Sequence, residues 1–131
     1  MPANYADLKT LKKNTQFTVF ESVARTATVN SEDYFNPSGD GIIVTIDCTA
    51  IVSTPSVVFT IQGKDPASAK YYTILASAAI VGTGTTVLRV YPGLTAAANT
   101  IATDMLPRDF RIIATHGNAN SITYTVGACI V

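Results

Sequence analysis

From Thr15 to the last residue, apolar side chains recur at every second position. That spacing places successive side chains on opposite faces of an extended strand and does not fit the 3.6-residue period of a helix. Ile42, Val44, Ile46, Cys48 and Ala50 share one face of such a run, with Thr45, Asp47 and Thr49 on the other. Val57, Phe59 and Ile61 alternate with Ser56, Thr60 and Gln62. Tyr72, Ile74 and Ala76 form one face of the next run, which assigns Tyr72 to the core. Leu88 and Val90 flank Arg89, and Phe110, Ile112 and Ala114 alternate with Arg111 and Thr115. Ile122, Tyr124, Val126, Ala128 and Ile130 alternate with Ser121, Thr123 and Thr125. Two weaker runs, Gln16 to Glu21 and Ala24 to Val29, come first.

Turn residues separate these runs. Asn36-Pro37-Ser38-Gly39-Asp40-Gly41, Ser53-Thr54-Pro55 and Gly82-Thr83-Gly84 are breaks, and Lys64-Asp65-Pro66-Ala67-Ser68 reads as a hairpin loop. Gly117-Asn118-Ala119-Asn120 reads as a hairpin joining the last two strands. About eight short strands at this spacing predict an all-β fold, a β-sandwich or a jelly-roll-like barrel. Residues 92–105 resist the pattern, and Ala96-Ala97-Ala98-Asn99-Thr100 fits either a short helical turn or a long crossing between sheets. The apolar Cys129-Ile130-Val131 predicts a packed C-terminal strand. Residues 1–14, with three lysines and little apolar content, read as an N-terminal arm ahead of a single β-domain over 15–131. One or two helical turns within the arm are marginal alone, so it orders against a neighbour or frays.

Hydrophobic residues make up 47% of the 131 and charged residues only 14%, against about 25% charged in an ordinary soluble domain. Short neutral side chains replace the missing charge. They fit either a surface that spends its life against other proteins or a threonine-rich sheet that simply follows strand propensity. Nine basic and nine acidic residues balance, so nucleic acid is not an expected partner. No run approaches ~18 consecutive apolar residues, so no membrane-spanning helix is expected. The first residues lack a basic stretch followed by an apolar one, which predicts synthesis in a cytoplasm without a signal peptide and reduced thiols at Cys48 and Cys129.

Catalytic constellations are not evident. His116, the one histidine, closes a strand without metal-ligand spacing around it and reads as a hydrogen-bonded turn residue. A cysteine nucleophile requires Cys48 or Cys129 beside that histidine. Glu32, Asp33 and Asp40 bear a faint likeness to a calcium loop, but solvated loop charges describe them better. Gly82-Thr83-Gly84-Thr85-Thr86 lacks the lysine of a phosphate loop and precedes a strand. Tyr71, Tyr72 and Tyr91 are the only aromatics suited to a sugar-stacking platform. No catalytic residue, cofactor or metal is expected, and no enzyme.

Several stretches together resemble a family of small virion proteins of tailed bacteriophages. They are Thr54-Pro55-Ser56-Val57-Val58-Phe59-Thr60-Ile61-Gln62-Gly63-Lys64-Asp65-Pro66, Lys70-Tyr71-Tyr72-Thr73-Ile74-Leu75, Leu88-Arg89-Val90-Tyr91-Pro92-Gly93-Leu94-Thr95, Leu106-Pro107-Arg108 and Ser121-Ile122-Thr123-Tyr124-Thr125-Val126-Gly127-Ala128. The resemblance covers roughly residues 22–131 and carries no catalytic residue. It implies a many-copy structural component of the virion: a capsid decoration, or cement, protein bound to the major capsid protein. A tail, neck or fibre-associated protein is the alternative, and a surface carbohydrate-binding module the second. A small β-protein that bridges coat subunits gains avidity from many weak contacts on one lattice, and such sites favour homo-oligomers. The expected interface is the arm, through Tyr5, Leu8, Leu11, Lys12 and Lys13. Val58, Leu75, Val87 and Ile113, apolar but off the core parity, come second unless both faces of their strands are buried.

Overall fold

The computed structural model describes residues 13–131, which form strands, turns and loops. Five strands make sheet A: β1 (Gln16–Arg25), β4 (Ile42–Ile51), β7 (Gly84–Val90), β8 (Ile101–Ala102) and β10 (Ile122–Ile130), in the order β1-β10-β4-β7-β8. Sheet B holds β2 (Val29–Asn30), β3 (Tyr34–Phe35), β5 (Val57–Lys64), β6 (Tyr71–Ala76) and β9 (Asp109–His116), in the order β2-β9-β5-β6 with β3 also on β9. Neighbours run antiparallel except β7 and β8. Both sheets stay open, so the fold is a sandwich and not a closed barrel.

Alternation builds the core as the sequence predicts. Ile42, Val44, Ile46 and Cys48 of β4 are buried, as is every second residue of β10 from Ile122 to Ile130. Ala50, expected on the same face, is exposed, because a register shift against β10 skips Thr49 and turns the strand end over. Val57, Phe59 and Ile61 of β5 and Phe110, Ile112 and Ala114 of β9 face them from sheet B. Phe59 and Tyr124 meet edge-to-face across the two sheets, with centroids 4.9 Å apart and planes at 89°. Phe17 and Tyr34 make a second such contact at 4.9 Å. Edge-to-face pairs set the positive rim of one ring against the negative face of the other, so they fix the angle between layers as well as burying area.

Most connections pass from one sheet to the other, and this corrects the expected final hairpin. The loop 117–120 leaves β9 in sheet B and enters β10 in sheet A. Its Asn118 and Asn120 side-chain amides donate to the Thr54 carbonyl at 2.9 and 3.1 Å, tying it to the neighbouring β4–β5 crossing. Turn chemistry marks where a chain reverses, but not which sheet the next strand joins. Residues 92–105 hold no helical turn but a tight reversal, in which Ala97 and Ile101 form an isolated antiparallel bridge, exchanging amide–carbonyl bonds of 3.1 and 3.0 Å, with Asn99 at positive φ between them. The chain then lays β8 beside β7, so this stretch stays within sheet A.

A second correction lies in β6. Thr73 pairs with Gln62 but Leu75 pairs with Ile61, so Ile74 is an extra, bulged residue. The bulge reverses parity. Leu75 turns into the core at 7% exposure, while Tyr72 is 49% exposed at the sheet end with its ring over Gly63. The C-terminal strand is packed as expected. β10 lies between β1 and β4, and the Val131 carbonyl accepts from the amides of Asp40 and Gly41 at 2.8 and 3.0 Å.

Candidate interaction surfaces

Of the expected arm contacts, Tyr5, Leu8, Leu11 and Lys12 lie outside the described residues. Lys13 is exposed, and its ammonium pairs with Asp40 at 2.9 Å; that hydrogen bond and charge hold its pKa above the usual lysine value. Val58 and Ile113 are half-buried on the outer face of sheet B, and Val87 is half-buried on the outer face of sheet A. The structure therefore separates the second set of residues: Leu75 belongs to the core, and the other three divide between two surfaces.

The outer face of sheet B is polar and internally satisfied at one end. Asp33 accepts from the Tyr71 hydroxyl at 2.6 Å and from Lys64 at 2.9 Å. Arg111 lies 3.5 Å from the Tyr71 ring centroid, and its Nε donates to Gln62 at 2.8 Å. Burial pushes the Asp33 carboxyl up, but the hydrogen bonds from Tyr71 and Lys64 and the charges of Lys64 and Arg111 outweigh it, so its pKa lies below the usual 3.8. The same bond to Asp33, with some burial, raises the Tyr71 phenol. With its acid ion-paired and its ring covered by a guanidinium, this cluster offers no free base and no bare stacking platform at Tyr71. Asp33 and Asp40, seen in sequence as loop charges, each hold a lysine.

At the other end of the molecule His116 Nε2 lies 3.0 Å from the Tyr124 hydroxyl, and its buried Nδ1 has no hydrogen-bond partner. Burial, helped by the charge of Arg25, lowers the imidazole pKa from its ordinary 6.5. Burial pushes the Tyr124 phenol up to about 12. The Arg25 guanidinium lies 4.8 Å from the Tyr124 ring and 5.4 Å from the Phe20 ring. It also donates to the carbonyls of Glu21, Val23 and Tyr124 at 2.9, 3.2 and 3.3 Å. Neither cysteine hydrogen-bonds to the imidazole: Cys48 Sγ leans on the Ala50 carbonyl and Cys129 Sγ on that of Ile130. Burial raises the Cys48 thiol, the reverse of what activates a thiolate. Cys48 pairs with Tyr124 and faces inward, whereas Cys129 pairs with Ile43 and faces outward, so the two thiols lie on opposite faces of sheet A. Among the described residues no three His, Cys, Asp or Glu side chains gather as metal ligands.

The outer face of sheet A is of another kind. At the paired positions of β10, β4 and β7 it presents threonine, valine, isoleucine, alanine, glycine and Cys129, with Asp47 and Arg89 as its only charges. A shallow depression of about 400 Å³ opens on it, lined by Gln16, Phe17, Thr18, Ile43, Thr45, Gly127, Ala128 and Cys129. Sequence reading passed over this hollow. Its one signal was Gly127, a glycine inside a run of strand formers.

No protein-family model matches the chain, and no curated protein matches it. Among solved structures, the crystal structure of the SPBc2 prophage-derived protein YomS is similar, with a TM-score of 0.52 at 12% identity over 91% of this chain and 94% of that one. At that identity the likeness is one of fold.

Proposed function

We propose that the chain is a non-enzymatic structural protein of a tailed-phage virion, and that it decorates the capsid lattice, binding and stabilising the major capsid protein. The observation that carries this reading is the outer face of sheet A, a nearly uncharged β-surface of short side chains that costs little to desolvate and suits a chain built into an assembly, whichever subunit covers that face. The shared fold with a prophage-derived protein supports a phage setting. The titratable groups support binding over catalysis: Asp33 is ion-paired, His116 faces a tyrosine, and the Cys48 thiol is held protonated. Tyr72 and Tyr91, the exposed tyrosines among the described residues, lie on β6 of sheet B and just past the end of β7 of sheet A, which weighs against a shared sugar platform.

The test is copy number, from quantitative mass spectrometry of purified particles of the encoding phage. Decoration predicts a ratio to the major coat protein near one, or a simple fraction of it. A few to a few dozen copies per particle would move the protein to the tail or neck. Absence from particles would overturn the virion reading altogether.

A further inference from the structure

Gly127 sits mid-strand in β10, pointing outward, where nothing inside the chain requires a glycine. Its φ is not among the positive ones. A Cβ there would meet nothing nearer than the Phe17 carbonyl oxygen at 3.9 Å. A strand glycine costs backbone entropy and contributes no side-chain packing, and a recurring reason for one is that another backbone comes close. Across the sheet Gly127 pairs with Thr18 and Thr45, and Thr45 with Val87, giving one row over four strands. Two residues to one side of this row stands Arg89, paired with Ile43; two residues to the other side stands Asp47, paired with Thr85. The only two charges at the paired positions of β10, β4 and β7 are thus opposite in sign and equally spaced about the Gly127 row.

We propose that this face is the contact between two copies of the chain, related by a twofold axis along the Thr18–Gly127–Thr45–Val87 row. Such an axis keeps each strand position and reverses the direction along it. Arg89 of the second copy then lies over Thr85, one inter-strand spacing of ~4.8 Å from Asp47. The Asp47 carboxylate already leans that way, accepting from the Thr85 hydroxyl at 3.3 Å. Symmetry makes the pair twice, and among the described residues no carboxylate pairs with Arg89 inside its own chain. On the axis the missing Cβ of Gly127 lets the two sheets approach. Four strands by seven residues span a plate of about 19 by 23 Å, which is smaller than the ~800 Å² per partner of a standard interface, so a weak, reversible dimer is expected.

The experiment is sedimentation equilibrium of the full chain from about 1 µM to about 1 mM. A reversible monomer–dimer equilibrium is expected. Gly127→Val, which has room for its side chain in the monomer, should keep the thermal midpoint and weaken association at least about tenfold. Arg89→Asp should weaken it similarly, and adding Asp47→Arg to that variant should restore most of the affinity. Should Gly127→Val fail to fold, the charge exchange decides alone. A chain that stays monomeric throughout, a trimer or larger closed assembly, undiminished association of folded Gly127→Val, or a double exchange that restores nothing would each overturn the contact. None of these outcomes bears on virion membership, which the copy count tests separately.

Discussion

Tyr124 holds three parts of the molecule at once: its ring meets Phe59 across the core, its hydroxyl meets His116 of β9, and its face receives Arg25 of β1. Tyr124→Phe leaves the ring contacts and removes the partner of His116 Nε2, and chemical denaturation should show a loss of about 1–2 kcal/mol. The pH dependence follows from the direction of the His116 shift. Because the folded imidazole titrates below 6.5, the unfolded chain binds more protons between that folded value and 6.5. Stability is therefore full above about pH 6.5 and falls as pH drops toward the folded pKa. In His116→Asn a plot of thermal midpoint against pH should lose this slope. Burial is the larger cause of the shift and Arg25 the smaller, so Arg25→Gln should raise the imidazole pKa only part of the way to 6.5, as read by NMR titration. His116 was legible in sequence as a bonded strand-end residue; its partner was not, because the bond joins two strands of different sheets.

At the level of elements, alternation predicted every core position of β4, β5, β9 and β10 because those strands face the core over most of their length. It failed at Ala50, past the register shift at the end of β4, and in β6, where one extra residue at Ile74 exchanges inside for outside; a bulge leaves no mark on the periodicity of so short a run. β1 carries two register shifts, between Thr18 and Phe20 and between Phe20 and Val23. Arg25 donates to the carbonyls of Glu21 and Val23 beside these shifts. The first weak run and the start of the second form this one bulged strand, while the end of the second, Val29, lies on β2 of the other sheet. Lysine cannot reproduce that planar fork, so Arg25→Lys should cost about 1 kcal/mol in denaturant titration despite keeping its charge. The β3–β4 loop is bound as tightly. Asn36 is buried, donates to the carbonyls of Gly39 and Leu106 at 3.0 and 3.2 Å, and accepts from the Gly39 amide at 2.8 Å. Asn36→Ala strands those groups and should lower stability by about 2–3 kcal/mol in the same assay.

For the whole molecule, the fold class was readable because period-two alternation admits few architectures, whereas strand order was not, since pairing joins segments distant in sequence. The same reason hid the sheet A face: the row through Gly127 exists only once β1, β10, β4 and β7 are aligned. The two sheets of the described residues enclose a core between themselves. A chain beginning at Lys13 should therefore unfold with the midpoint of the full chain by circular dichroism, while binding coat particles more weakly if the arm is a docking element. Unchanged occupancy after removal of residues 1–12 would exclude the arm from docking.

β10 emerges from the ribosome after every strand it joins, yet it lies inside its sheet, between β1 and β4. Until it arrives, β1 and β4 each present a bare ladder of amides and carbonyls toward the gap between them. A nascent chain stalled anywhere before Ile122 is thus missing its keystone and not its rim, and has two open edges suited to accepting a strand from another polypeptide. Translation must pass the last core position before sheet A can close, so no shorter nascent chain presents the finished sheet.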